Sequence, residues 1–164
     1  MSLTGRLADL VIALCKRLAH TKRVILDRDG AEPYLTRWYL IGTSPAQGGA
    51  RGKWGLYLHQ FNKSDSPEAL HNHPWRWAVS LVLKGGYWEL REAGNWHWRA
   101  PGDFNFLDAD TFHRVALDYD EAPAYTLFLV GPRIQGWGFL SRETGKFVPW
   151  RVWLDLSPYT PEDV

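Results

Sequence analysis

The sequence predicts an all-β fold, a barrel, sandwich or jelly roll, with one α-helix ahead of it. Three observations lead there. Residues 3–20 carry apolar side chains at helical spacing, and no second helical period appears after Arg23. Beyond that point the chain divides into short runs rich in β-branched and aromatic residues. Glycine, proline or aspartate stands between most of these runs, as the turns of an antiparallel sheet require.

The helix comes first. Leu3, Leu7, Leu10, Val11, Leu14 and Leu18 are three and four residues apart, and Arg6, Asp9, Lys16 and Arg17 occupy the other sides. Such a stripe should dock on the barrel or on a partner subunit. The strand-like runs follow at residues 24–27, 34–41, 54–61, 75–83, 87–91, 104–107, 113–118 and 124–130. Asp29-Gly30 reads as a reverse turn between the first two, the glycine-rich residues 43–53 read as a loop, and the tail from Ser157, with Pro158 and Pro161, reads as coil. The implied division is a helical segment over 1–23 and a barrel with a C-terminal extension over 24–164.

Composition narrows the function classes. Residues number 164, which suits one domain better than two. Hydrophobic residues at 45% against 23% charged are enough for an ordinary core, so disorder is excluded. Nineteen basic and 18 acidic side chains leave a net charge of +1, which offers nucleic acid no electrostatic attraction. One cysteine, Cys15, excludes an internal disulfide framework and suits a reducing compartment. No run approaches the roughly 18 apolar residues of a membrane span, and charges interrupt any signal-peptide core. The expectation is a soluble, cytoplasmic protein that engages neither nucleic acid nor membrane.

Chemistry concentrates in two stretches. His71-Asn72-His73-Pro74-Trp75 places two histidines at i and i+2, which on an extended strand share a face and can approach one metal ion. Alone, an H-x-H is a weak signal. Val82-Leu83-Lys84-Gly85-Gly86 then ends an apolar run in a glycine turn, and Pro101-Gly102-Asp103 leads through a short strand and a turn to His113.

Together these stretches resemble the two signature motifs of the cupin superfamily, in the family's order and separation, across roughly residues 55–130. The resemblance implies a small double-stranded β-helix, or jelly-roll barrel, whose lumen holds one divalent transition metal. Carried over by position, His71, His73 and His113 would be the ligands. Three neutral imidazoles suit Fe(II), the favoured ion, and equally Zn, Ni, Mn or Cu, while leaving coordination positions open. The position where cupins carry a further glutamate ligand, ahead of the glycine turn, is taken by Ala78. The site is then either a three-histidine centre, as in some cupin dioxygenases, or it recruits another carboxylate. Glu89 is the nearest candidate, and Asp65 and Glu68 precede the first histidine. Asp108 and Asp110 stand where the family usually has proline and glycine, which alters the turn before His113.

Other residues carry secondary readings. His59 shares a strand face with Tyr57 and Phe61 and is, with Glu89, a candidate catalytic group; packing is its commoner fate. Tyr57, Trp77, Tyr125 and Arg133 are candidates for substrate binding, Arg133 because a guanidinium fork suits an anion, although it could equally tie the C-terminal segment to the barrel. His97 reads as a surface residue in a hairpin, and His20 as a helix-end histidine favoured by the dipole. No nucleophile elbow or phosphate loop occurs. The leading functional reading is a small-molecule metalloenzyme with dioxygenase-like chemistry. The alternatives are a non-catalytic binding or sensing module and a metal-independent sugar epimerase or isomerase. The metal-independent form would use His73 or His113 as base and Tyr57 or Tyr125 as acid. A homodimer is expected, because exposed strand edges need cover.

Overall fold

A computed structural model describes residues 3–27, 31–42, 54–118 and 123–155. After the helix α1 (Leu3–Leu18) come β1 (Thr21–Leu26), β2 (Pro33–Ile41), β3 (Gly55–Phe61), β4 (Ala69–His71), β5 (Trp77–Lys84) and β6 (Tyr87–Arg91). The chain continues through β7 (Trp96–Arg99), β8 (Phe104–Asp108), β9 (His113–Ala116), β10 (Ala124–Val130), β11 (Gly138–Ser141) and β12 (Phe147–Pro149), then a helical turn α2 (Trp150–Trp153). Two six-stranded sheets result, ordered β1-β2-β3-β10-β5-β8 and β12-β11-β4-β9-β6-β7. Every strand pairing is antiparallel.

Period-two alternation sets what faces inward. Along β10, Ala124, Thr126, Phe128 and Val130 are buried while the residues between them are half-exposed. Strands β5, β8 and β9 behave likewise and send in Ala78, Ser80, Val82, Asn105, Leu107, His113 and Val115. Two apolar clusters fill the interior. One joins Tyr39, Tyr57, Ala78, Leu107, Phe128 and Val130, with Trp75 against it. The other joins Val82, Tyr87, Val115, Leu117 and Ala124, with Phe61 against it.

The chain passes between the sheets at glycine corners. Gly85 and Gly86, between β5 and β6, have φ of +79° and +144°, values that L side chains rarely adopt. A Cβ on Gly85 would also stand 2.8 Å from the carbonyl oxygen of Pro123. Gly102, between β7 and β8, has φ +97° but open space around it.

Three features differ from the sequence expectation. The sheet begins at Thr21, before residue 24. Strands β4, β11 and β12 are three or four residues long and do not alternate, and the last two extend a sheet beyond Val130, where the strand-like runs of the sequence end. The leucine stripe of α1 does not face the barrel: Leu7, Leu10, Leu14 and Leu18 each expose more than half of their surface. The helix lies on the barrel by another side. Ile12 is buried, Lys84 Nζ meets Asp9 Oδ1 at 2.5 Å, and Lys16 Nζ stands over the rings of Trp38 and Tyr125 at 4.7 and 4.9 Å. Among the described residues no helix is long and apolar enough to cross a membrane. Asp29-Gly30, the loop 43–53 and the tail from Ser157 lie outside the described residues.

The two glycine corners should respond differently to alanine. Gly102→Ala bears backbone strain alone and should cost about 1–2 kcal/mol, whereas Gly85→Ala adds a clash with the backbone and should cost clearly more, as urea denaturation midpoints would read. Leu58→Ala, which removes a fully buried side chain, should cost about 2–5 kcal/mol.

Candidate functional site

Strand register brings the first two histidines together. The single registered pair between β4 and β9 is His71 opposite His113. Strand β4 ends at His71, so His73 reaches the site from the segment beyond it rather than from the strand itself. Asn72 turns the other way: its side chain donates to the Ala109 carbonyl at 3.2 Å and accepts from the Gly138 amide at 2.9 Å. Pinned there, it sends both neighbouring histidines to the same side. Gln135 Nε2 holds the carbonyls of His73 and Ala109 at 3.3 and 2.7 Å, which steadies the same turn.

The three rings converge. His71 and His113 have centroids 4.6 Å apart, and His73 stands 5.1 Å from each. One ring nitrogen from each residue lies within 4.8 Å of the others, the arrangement of a metal-binding group. Nε2 of His73 and Nε2 of His113 are 3.0 Å apart. Two nitrogens bound to one ion at roughly 2.0–2.1 Å and near a right angle would be about 3 Å apart, so the donor set fits a divalent transition metal.

Carboxylates orient two of the rings. His113 Nδ1 meets Glu89 Oε1 at 2.9 Å, which keeps the proton on Nδ1 and leaves Nε2 with its lone pair. His71 Nδ1 lies 3.4 Å from Asp65 Oδ2. Asp65 in turn accepts the Val115 amide at 2.6 Å and the Tyr34 hydroxyl. Glu89 itself is fully buried. Burial would raise its pKa, but hydrogen bonds from His113, Arg99 and Asn105 outweigh that and hold it ionised, well below the usual carboxylate range. The histidines move the opposite way from a charged state. Burial pushes His71 down to about 4 against the pull of Asp65, and pushes His73 well below its ordinary value, helped by His71, His113 and Arg37. Neutral imidazole is the form that ligates a metal.

The remaining candidates separate by strand face. Ala78 points inward into the apolar cluster, so nothing replaces the missing glutamate at that position. Glu89 meets the nitrogen of His113 that turns away from His73; it supports a histidine and does not join the donor set. Glu68 is exposed. Tyr57 lines the interior and stacks near His59, with centroids 6.2 Å apart. Trp77 and Tyr125 do not: they alternate with the inward residues of β5 and β10, Trp77 against Gly131 and Tyr125 beneath Lys16. Arg133 bridges its backbone to Trp75 and points Nε at the Gln135 carbonyl, 3.4 Å away. His97 is exposed on β7, and exposed His20 meets the Gly42 carbonyl at 2.9 Å. His59 is buried and receives a hydrogen bond from Arg37 Nε at 2.8 Å.

Arg37 is the residue that sequence reading passed over. Its signal was available: Leu35, Arg37 and Tyr39 alternate along one face of β2, and a guanidinium in an inward set is out of place unless it has work there.

Solved structures share this architecture. A DMSP lyase, DddQ from Ruegeria pomeroyi DSS-3, matches with a TM-score of 0.54 and 20% identity over 80% of this chain. The match takes in 64% of that chain, so this protein spans just under two thirds of its length. A sugar phosphate isomerase from a cupin superfamily, from Silicibacter pomeroyi DSS-3, matches with a TM-score of 0.51 and 19% identity, over 87% of this chain and 94% of that one. The fold is the cupin fold. No protein-family model and no curated protein sequence matches the chain.

Within this cupin barrel the buried charges make two tests. Glu89→Gln leaves Arg99 facing a neutral group and should cost about 3 kcal/mol, the lower end for a buried pair that loses one partner, measurable by urea denaturation. The second concerns pH. His71 titrates near 4 folded and near 6.5 unfolded, so below about pH 6.5 the unfolded chain takes up the proton first. Chelator-treated protein should therefore lose stability as pH falls from about 6.5 towards 4. A His71→Gln variant should show a shallower loss over that range.

Proposed function

We propose that this protein is a metal-dependent enzyme that acts on a small molecule in the barrel lumen, at a centre held by His71, His73 and His113. One observation carries the reading: three imidazoles converge from two strands and a turn, and burial holds His71 and His73 neutral, ready to ligate. Fe(II) is the favoured ion and dioxygenase-like chemistry the favoured reaction, with Zn, Ni, Mn or Cu as alternatives. A metal held by His71, His73 and His113 would keep its full charge beside three neutral ligands and would supply Lewis-acid activation of a substrate. The chain's own residues do the rest. Glu89 and Asp65 orient His113 and His71, while Tyr57, Trp75 and Phe128 wall the lumen beside His73 and His59.

A metal-independent isomerase is the second reading, favoured by the His113–Glu89 pair, which has the form of a carboxylate-backed general base. Tyr57 would be its acid, since Tyr125 faces away from the lumen. The non-catalytic binding module remains the reading if no turnover is found. Assembly as a cytoplasmic homodimer completes the proposal: the leucines of α1 and the exposed Phe104 and Phe106 of edge strand β8 are apolar surface that a second copy would cover.

Metal content per chain decides between the first two readings. Protein purified without added metal should carry close to one transition-metal ion. His73→Ala and His113→Ala should lose most of it while keeping a cooperative thermal melt, because the packing of Leu107, Val130, Val82 and Leu117 does not depend on either imidazole. Unchanged occupancy in both variants, or a wild type that takes up no metal on reconstitution, would transfer the proposal to the isomerase. Sedimentation should give about twice the 18.9 kDa chain mass; a clean monomer at micromolar concentration would remove the dimer.

A further inference from the structure

Strand β2 places a cation inside the barrel with no counter-charge among the described residues. Arg37 stands in register between Arg23 on β1 and His59 on β3, so one row across the sheet reads Arg23, Arg37, His59. Residues directly opposite one another lie on the same face, and like charges so placed repel. Among the described residues no carboxylate pairs with Arg37. Its Nε donates to His59 Nε2, which occupies one of the five N–H donors of a guanidinium. The terminal nitrogens have no acceptor among the described residues.

Aromatic faces hold the group in place. The guanidinium carbon lies 5.2 Å from the ring centroid of Tyr57 and 5.9 Å from that of Trp75. Trp75 stacks on His73 at 5.7 Å, and Phe128 lies 4.8 Å from His59 and 5.6 Å from His73. The same aromatic wall thus runs from the arginine to the three-histidine group. Stacking and the bond to His59 fix the plane of the fork, leaving its outer edge pre-set for a planar acceptor.

We propose that Arg37 is the anion-binding residue of the lumen, and that the small molecule received beside the three histidines carries a carboxylate, which Arg37 takes through its terminal nitrogens. The proposal rests on the lumen being the binding site, as the proposed function has it, and adds the substrate class. A carboxylate fits better than a phosphate. One fixed cation balances the single negative charge of a carboxylate, whereas a phosphate near neutral pH carries close to two. His59 acts as a positioning residue: it accepts from Arg37, so its proton sits on Nδ1, and it holds the fork at a fixed angle.

Propionate and its uncharged counterpart propionamide test this on metal-free and on Zn-loaded protein, followed through the Arg37 Nε–H resonance and by calorimetric titration. Propionate should bind saturably and shift that resonance in both forms; propionamide should do neither. Arg37→Gln should weaken propionate binding at least tenfold with metal content per chain unchanged. Should that variant not fold, Arg37→Lys, which keeps the charge and loses the fork, should bind at least threefold more weakly than wild type. Equal affinity for the acid and the amide, or equal affinity in wild type and either folded variant, overturns the proposal, as does the absence of saturable propionate binding. Inorganic phosphate binding more tightly than propionate overturns the choice of a carboxylate. Arg37-dependent propionate binding by a protein that takes up no metal would refute the metal centre and leave this inference standing; metal uptake without it would do the reverse.

Discussion

A carboxylate with no contact with solvent has to be satisfied from every side, and Glu89 is satisfied from three other strands at once. It belongs to β6; Arg99 reaches it from β7 at 2.6 Å, Asn105 from β8 at 2.8 Å and His113 from β9 at 2.9 Å. Strand β8 lies in one sheet and the other three in the second, so this one charge ties the two sheets together. The same charge sets the tautomer of His113 and so which nitrogen faces His73. Fold and site therefore share one electrostatic anchor, Glu89.

The interior is graded rather than uniformly apolar. Around Leu107 and Val130 it is hydrocarbon and aromatic ring. Towards the histidines, polar atoms appear in pairs: Arg37 with His59, Glu89 with His113, Asp65 with His71. Each imidazole of these pairs has one nitrogen committed to a protein partner. His71 and His113 keep their second nitrogen for one another's neighbourhood, whereas His59 commits Nε2 to the arginine. Similar side chains thus take different parts according to which ring nitrogen the strand register leaves free.

Much of the barrel was legible because its long strands alternate cleanly, and β10 shows this over its full seven residues. The two cupin-like stretches likewise led to His71, His73 and His113, which the structure brings together. What escaped was short or depended on a partner. Three-residue strands such as β4 and β12 have no period to read. For the substrate-binding candidates Trp77 and Tyr125 the sequence names no face, since a large aromatic is equally at home on either side of a sheet whose outer face is covered by a helix. Glu89 and Asp65 looked like substitutes for a lost ligand; only register and distance show that they stand behind the histidines. Arg37 carried no motif, and its meaning appears only when the residues across from it on β1 and β3 are known.

The seating of α1 has a consequence of its own. A helix that docks by burying leucines holds on more firmly as salt rises; this one docks through Asp9, Lys16 and the single buried Ile12, and shows its leucines to the outside. Added salt screens the charged contacts and, for strongly hydrated ions, strengthens the apolar ones. Ionic strength thus loosens the helix from its own barrel while making its outer side more adhesive. The N-terminal segment is in that sense a two-sided adhesive whose preferred side is chosen by the solution around it.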